Sequence, residues 1–306
     1  MKIVVVGGGS TYTPELIDGI ARLQDEVPIT EIVLLDPAQD RRELLTAVSQ
    51  RILSRYGVSA IVRGSTDVTE AADGAAAVLM QLRVGGQSTR ERDETWPLEC
   101  GCIGQETTGA GGFAKALRTV PAVLEIAEQV RAVNPDAWIV DFTNPVGIVT
   151  RALLQAGHRA IGLCNVAIGL QRKFAELLDV APERVSLDHV GLNHLTWERA
   201  VRVLPEGGAP FGVGQDVLPA LLSERLDEIA EHMHMPAELL TLLGTVPSSY
   251  LRYFYEHDRL VDEQRGGVPR AKEVAALEDE LLTMYADPAL DRKPEILAKR
   301  GGAFYS

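Results

Sequence analysis

The chain has 306 residues, 46% hydrophobic and 24% charged, with 43 acidic against 30 basic side chains and a net charge of −13. That negative field disfavours nucleic acid and anionic membrane as main partners, and no apolar run reaches the length of a membrane span or a signal peptide. Three cysteines are too few for a disulfide framework, which points to a reducing cytoplasm. In chain order, apolar runs predict buried strands at Ile3–Val6, Ile32–Leu35, Ala77–Leu82, Ala137–Phe142 and Arg159–Leu163. Helical patterns fall between them, near Glu15–Leu23, Arg41–Tyr56, Ala114–Val133 and Gly147–Gln155. This alternation predicts an α/β protein whose first domain, residues 1–168, is a Rossmann-type doubly wound parallel sheet. From residue 169 to 306 the pattern changes to a second, α+β domain, the place for a substrate. There a helix over Gln171–Leu178 precedes strands at Val185–Asn193 and Thr196–Val203, a loop at Pro205–Pro210, and helices near Val217–His232, Ser249–His257 and Ala271–Tyr285.

VVVGGGSTYTPEL has the order strand, glycine turn, helix start. Gly7 and Gly9 match the first two glycines of a dinucleotide fingerprint, with Ser10 next in the turn, while Tyr12 stands where the third glycine is usual. Thr13 reads as an N-cap and Pro14 as the first helical residue, so that a helix N-terminus faces phosphate. Asp36 ends the next strand, where a carboxylate accepts the ribose hydroxyls of NAD and repels the extra phosphate of NADP.

Cys164 in GLCNV and His194 in VGLNH both end predicted strands, where open α/β sheets place ligands. A thiolate and an imidazole can hold a divalent ion and leave positions open for substrate. Taken singly, a buried cysteine is more often packing and a lone histidine more often structural. His232 and His234 are two apart on a helical pattern and point to different sides, and neither Ser/His/Asp nor CxxC spacing is present.

VGGGSTYTPEL, LRVGG, RERDE, IGQETTGAGGF, FTNPVG, GLCNV, GLNH, YLRYFY and RGGAFYS occur in one order along the whole chain, and together they resemble glycoside hydrolase family 4. The resemblance implies a cytoplasmic glycosidase that uses NAD and a divalent metal, Mn2+ for most members, and lies outside the two-carboxylate pattern of most glycosidases. It implies Cys164 and His194 as metal ligands, Tyr250 of SSYLRYF as the base, and Glu106 of GQET as its assistant. Asn144 and Asn165 are implied as sugar contacts, with Arg90 and Arg270 contacting the substrate or its 6-phosphate. Asparagine after the cysteine points to the 6-phospho-beta-glucosidase branch. The implied reaction is oxidation at carbon 3, metal-assisted deprotonation of carbon 2, elimination of the aglycone, water addition and re-reduction. The implied partner is a phosphorylated disaccharide or glucoside, with a homo-oligomer in the full-length form.

The chain departs from the family at Ala167 and Ser249, where proline is usual, and at its end, since relatives continue beyond RGGAFYS. The substrate domain is therefore expected to be incomplete at its C-terminus. Cys100 and Cys102 lie where relatives have no thiols and read as incidental. The competing expectations are an NAD-dependent hydroxy-acid dehydrogenase, which shares the cofactor fold, and an inactive truncated NAD-binding protein.

Overall fold

The computed structural model describes residues 1–207 and 214–302. Six strands pair in parallel: β1 (Lys2–Val6), β2 (Glu31–Leu35), β3 (Ile61–Ser65), β4 (Ala77–Met80), β5 (Trp138–Asp141) and β6 (Ala160–Gly162). Their order is β3-β2-β1-β4-β5-β6, so the chain changes direction between β1 and β4. The connecting helices are α1 (Thr13–Arg22), α2 (Gln39–Arg55), α3 (Val68–Ala72), α4 (Gly86–Glu99), α5 (Gly109–Val133) and α6 (Val146–Gln155). Side chains alternate across each strand. Ile3 and Val5 pack with Ile17, Leu45, Val48 and Ile52 on one face. Val4 and Val6 pack with Val123, Ala127, Val149 and Leu153 on the other. This is the doubly wound Rossmann-type sheet that the apolar runs predict.

The chain separates into two compact units. The first joins residues 1–163 to the described residues from Val261 onward. It therefore contains α13 (Arg270–Tyr285) and α14 (Leu297–Gly302). The expected division at 168 and 169 is thus redrawn, for a physical reason. Leu281 and Tyr285 of α13 belong to the same core as β1, β2 and α2, and the Tyr285 hydroxyl donates to the Thr11 carbonyl at 2.7 Å.

The second unit, Cys164–Leu260, starts with α7 (Asn165–Leu178). An antiparallel sheet follows, built from β7 (Val185–Leu192), β8 (Leu195–Val203), β9 (Gln215–Asp216) and β10 (Val246–Pro247). Its core gathers Leu170, Phe174, Val201, Ile229, Met233 and Leu240. The helix expected over Val217–His232 is two, α8 (Leu218–Glu224) and α9 (Leu226–Met233), broken where Arg225 leaves helical geometry. After α10 (Ala237–Leu243), the stretch expected as a helix from Ser249 is a 3-10 turn, Ser249–Leu251, followed by α11 (Arg252–Tyr255) and α12 (His257–Gly266). Residues 208–210 of the expected loop and 303–306 of RGGAFYS lie outside the described residues.

Candidate active site

The turn after β1 folds as a cradle. Gly7 takes φ +80°, which glycine adopts without a Cβ penalty, and the Gly7 and Gly8 N–H groups both donate to the Leu35 carbonyl. A Cβ on Gly9 would come within 2.7 Å of the Asp36 carboxylate, which accepts the Gly9 N–H at 3.0 Å and the Ala38 N–H at 2.9 Å. Ser10 donates its N–H to Gly7, and its hydroxyl oxygen accepts from Tyr12. Helix α1 begins one residue earlier than expected. Tyr12 occupies the cap position, and the Thr13 hydroxyl donates to the Gly8 carbonyl at 2.9 Å, tying the helix start to the glycine turn.

The second unit brings together three residues far apart in sequence. Cys164 caps α7, which starts at Asn165 and so several residues before the expected Gln171. His194 lies in the two-residue turn of the β7–β8 hairpin, where Leu192 pairs with Leu195. Its φ of +65° is left-handed, a conformation costing a non-glycine residue about 1–2 kcal/mol. Gly191 makes the turn possible, because at φ +130° a Cβ there would run into the Leu195 carbonyl. Cys164 Sγ lies 3.4 Å from His194 Nε2. Tyr250, in the 3-10 turn after β10, stacks on the imidazole with ring centroids 3.6 Å apart and planes within 3°. Burial pushes the His194 pKa down to about 4, leaving the ring neutral near pH 7. Burial pushes the Cys164 thiol up, against the opposing effect of the Val166 and Asn165 N–H groups. Among the described residues no group of three or more His, Cys, Asp and Glu side chains gathers as a metal site. The Cys164–His194 pair therefore leaves most of a coordination shell to other ligands.

In the first unit Glu106 is 1% exposed and receives three cations. Both terminal nitrogens of Arg83 donate to it, Lys115 Nζ lies 2.6 Å from Oε2, and Arg90 Nε lies 3.3 Å from Oε1. Burial opposes the charge, but Arg83, Lys115 and Arg90 outweigh it and hold the carboxyl well below its ordinary pKa. Arg90 also donates to Glu94 at 2.7 Å, and the other Glu94 oxygen accepts the Ala271 N–H at 2.8 Å. Arg270, the first residue of α13, therefore sits beside this cluster, where it pairs with Glu273 and donates to the Lys299 carbonyl. Gly104 and Gly111 of IGQETTGAGG are explained by contact. A Cβ on Gly104 would collide with the Glu94 carbonyl, and one on Gly111 with the Asp93 carbonyl, so α5 starts against the backbone of α4.

Asn144 follows β5 in a cis peptide with Pro145. The buried Asp141 organises that loop by accepting the Thr143 N–H at 2.8 Å and the Thr150 hydroxyl at 3.1 Å. Asn165 is exposed on the first turn of α7. Arg83, Lys115 and Asp141 are not among the residues to which the sequence motifs assign a role. A lysine within the otherwise apolar stretch FAKAL is the one signal that could have found Lys115.

Comparison with known proteins agrees with this architecture. Residues 2–180 match the family 4 glycosyl hydrolase profile, and residues 189–306 match the family 4 glycosyl hydrolase C-terminal domain. A probable 6-phospho-beta-glucosidase of Bacillus subtilis is 37% identical over all of this chain and 71% of its own length. The 6-phospho-beta glucosidase of Thermotoga maritima, solved with manganese, NAD+ and glucose-6-phosphate, superposes with a TM-score of 0.85 at 33% identity, over 98% of this chain and 71% of that one. A malate dehydrogenase of Salinibacter ruber, at 20% identity and a TM-score of 0.51 over 82% of this chain and 72% of its own, shares the fold alone. With both of its halves matched by that family's profiles, and with a relative more than one-third identical from end to end, the chain belongs to glycosyl hydrolase family 4.

Proposed function

We propose that the chain is a 6-phospho-beta-glucosidase that uses NAD and a divalent metal, Mn2+ for preference, to cleave phosphorylated disaccharides or glucosides in a reducing cytoplasm. The observation that carries this reading is the Cys164 Sγ–His194 Nε2 separation of 3.4 Å with Tyr250 stacked on the imidazole. Zinc–sulfur and zinc–nitrogen bonds are about 2.3 and 2.1 Å, and bonds of that order let both atoms reach one divalent ion at that spacing. His194 is neutral, as a ligand must be, and Cys164 is the donor that would shed a proton on binding. For NAD, the fit is the close turn of Gly7 and Gly9, Ser10 and the start of α1 for the pyrophosphate, and Asp36 for the ribose. When bound, NAD supplies a reversible hydride acceptor and the ion a Lewis acid.

The chain's own groups do the rest. Tyr250 takes the proton from carbon 2 of the sugar at its phenolic oxygen, which requires an ionised phenol and hence a positive neighbour. Glu106 holds Arg83 and Arg90 in place, and its assisting role runs through those cations, since its own carboxylate is enclosed by them. Arg90 and Arg270 supply positive charge for the sugar phosphate, while Asn144 and Asn165 orient the hydroxyls. Asn165 after the metal cysteine, and the beta-specific relatives, favour the beta linkage.

The test uses a chromogenic 6-phospho-beta-glucoside. Release of the aglycone is expected only with NAD, Mn2+ and thiol together, without accumulation of NADH. Cys164→Ser is expected to weaken Mn2+ binding at least about tenfold in calorimetry while the fold is kept. Turnover without either cofactor, or stoichiometric NADH, contradicts the reading.

A further inference from the structure

Among the buried charges of the first unit, Lys115 has no place in the scheme above. It is 2% exposed, nearly two turns into α5, with its ammonium 2.6 Å from Glu106 Oε2. The same carboxylate accepts Arg83, whose two terminal nitrogens form a fork on Glu106, one of them on the Oε2 that Lys115 also holds, and whose side chain is 25% exposed. Arg83 lies three residues past the end of β4, next to the β1–β4 crossover of the sheet, where open α/β sheets take their ligands. Its loop is held a second time from α5, because Arg118 Nε donates to the Val84 carbonyl at 3.2 Å while its terminal nitrogens grip Asp93. The groups around Lys115 are Glu106 and Arg83 from the loops and Arg90 from α4. Pairing Arg90 with Glu94, Arg118 with Asp93, and Arg41 with Glu278, whose carboxylate also acts on Arg83, leaves Arg83 and Lys115 sharing the single charge of Glu106.

We propose that Lys115 is a positioning residue: its ammonium fixes the Glu106 carboxylate from inside, so that the same carboxylate presents the Arg83 guanidinium, with positive charge to spare, to a phosphate group at the ligand end of the sheet. Phosphate is common to NAD and to a sugar phosphate. The inference rests on the glycosidase reading for its ligands but not for its geometry. It accounts for a buried lysine and a fully enclosed carboxylate that carry no reacting atom. Burial, with help from Arg83 and Arg90, lowers the Lys115 pKa to about 8 against the pull of Glu106. The arrangement should therefore weaken in mild alkali.

The experiment is a double-mutant cycle read by calorimetry on the full chain. NAD alone and glucose 6-phosphate with NAD and Mn2+ present are titrated separately. Lys115→Met is expected to weaken one of these ligands about tenfold in the wild-type background and less than about twofold in Glu106→Gln, because it acts through Glu106. The affected titration should also lose affinity above pH 8 in the wild type, and not in Lys115→Met. Equal losses in both backgrounds, or no loss in either titration, overturn the proposal. Should Lys115→Met not fold, Arg83→Lys keeps the charge but not the fork. It should weaken the same ligand about tenfold, and wild-type affinity there overturns the proposal as well. Wild-type protein that binds NAD but no glucose 6-phosphate contradicts the glycosidase reading. The NAD arm of the cycle then decides this inference by itself.

Discussion

Asp141 shows how one residue records the cost of its position. Its carboxyl is buried at the end of β5, receives N–H and O–H donors, and takes part in no ion pair among the described residues. Burial therefore raises its pKa from 3.8 to about 6. A carboxyl that holds its proton more tightly when folded contributes stability in full below pH 3.8, and the contribution is lost as pH rises through about 6. Asparagine keeps an acceptor for Thr143 and offers a donor to Thr150 without ever ionising. Relative to Asp141→Asn, the wild type should therefore lose up to about 3 kcal/mol between pH 4 and pH 7.5. Melting curves of both proteins across that range check it. A difference that does not change with pH would show that Asp141 ionises freely. The same scale explains why Cys164 and His194 stand out in the sequence and Arg83 does not. The thiol and imidazole are rare residue types at strand ends, whereas an arginine in a loop resembles any solvated surface charge.

At the scale of elements, strands and helices with an apolar face were legible, and those without one were not. β1, β2, β4 and β5 carry apolar runs whose alternate residues enter the two cores, and each was read close to its observed position. β3 was missed because an edge strand reading IVRGS has one fully buried residue. α4 was missed for a different reason. Its buried face consists of Arg90, Asp93, Glu94 and Pro97, so its periodicity is one of paired charges rather than of hydrophobes. α13 was read as a helix and assigned to the wrong unit, since sequence spacing does not show which core a helix joins. Its place in the first unit predicts that Leu281→Ala, at a fully buried site, costs about 2–5 kcal/mol in urea unfolding. A loss under about 1 kcal/mol would mean that α13 contributes little to that core.

For the molecule as a whole, a net charge of −13 opposes a phosphorylated ligand at long range. Recognition must then come from local cations, and the first unit holds Arg83, Arg90, Lys115 and Arg118 within one network of buried carboxylates. Among the described residues no helix is long and apolar enough to cross a membrane. The most direct test of the central claim is to hydrolyse a 6-phospho-beta-glucoside in D2O with NAD and Mn2+, and to read carbon 2 of the glucose 6-phosphate product. Proton removal by Tyr250 predicts deuterium at that carbon, with no net NADH. Full turnover with only protium at carbon 2 would contradict it.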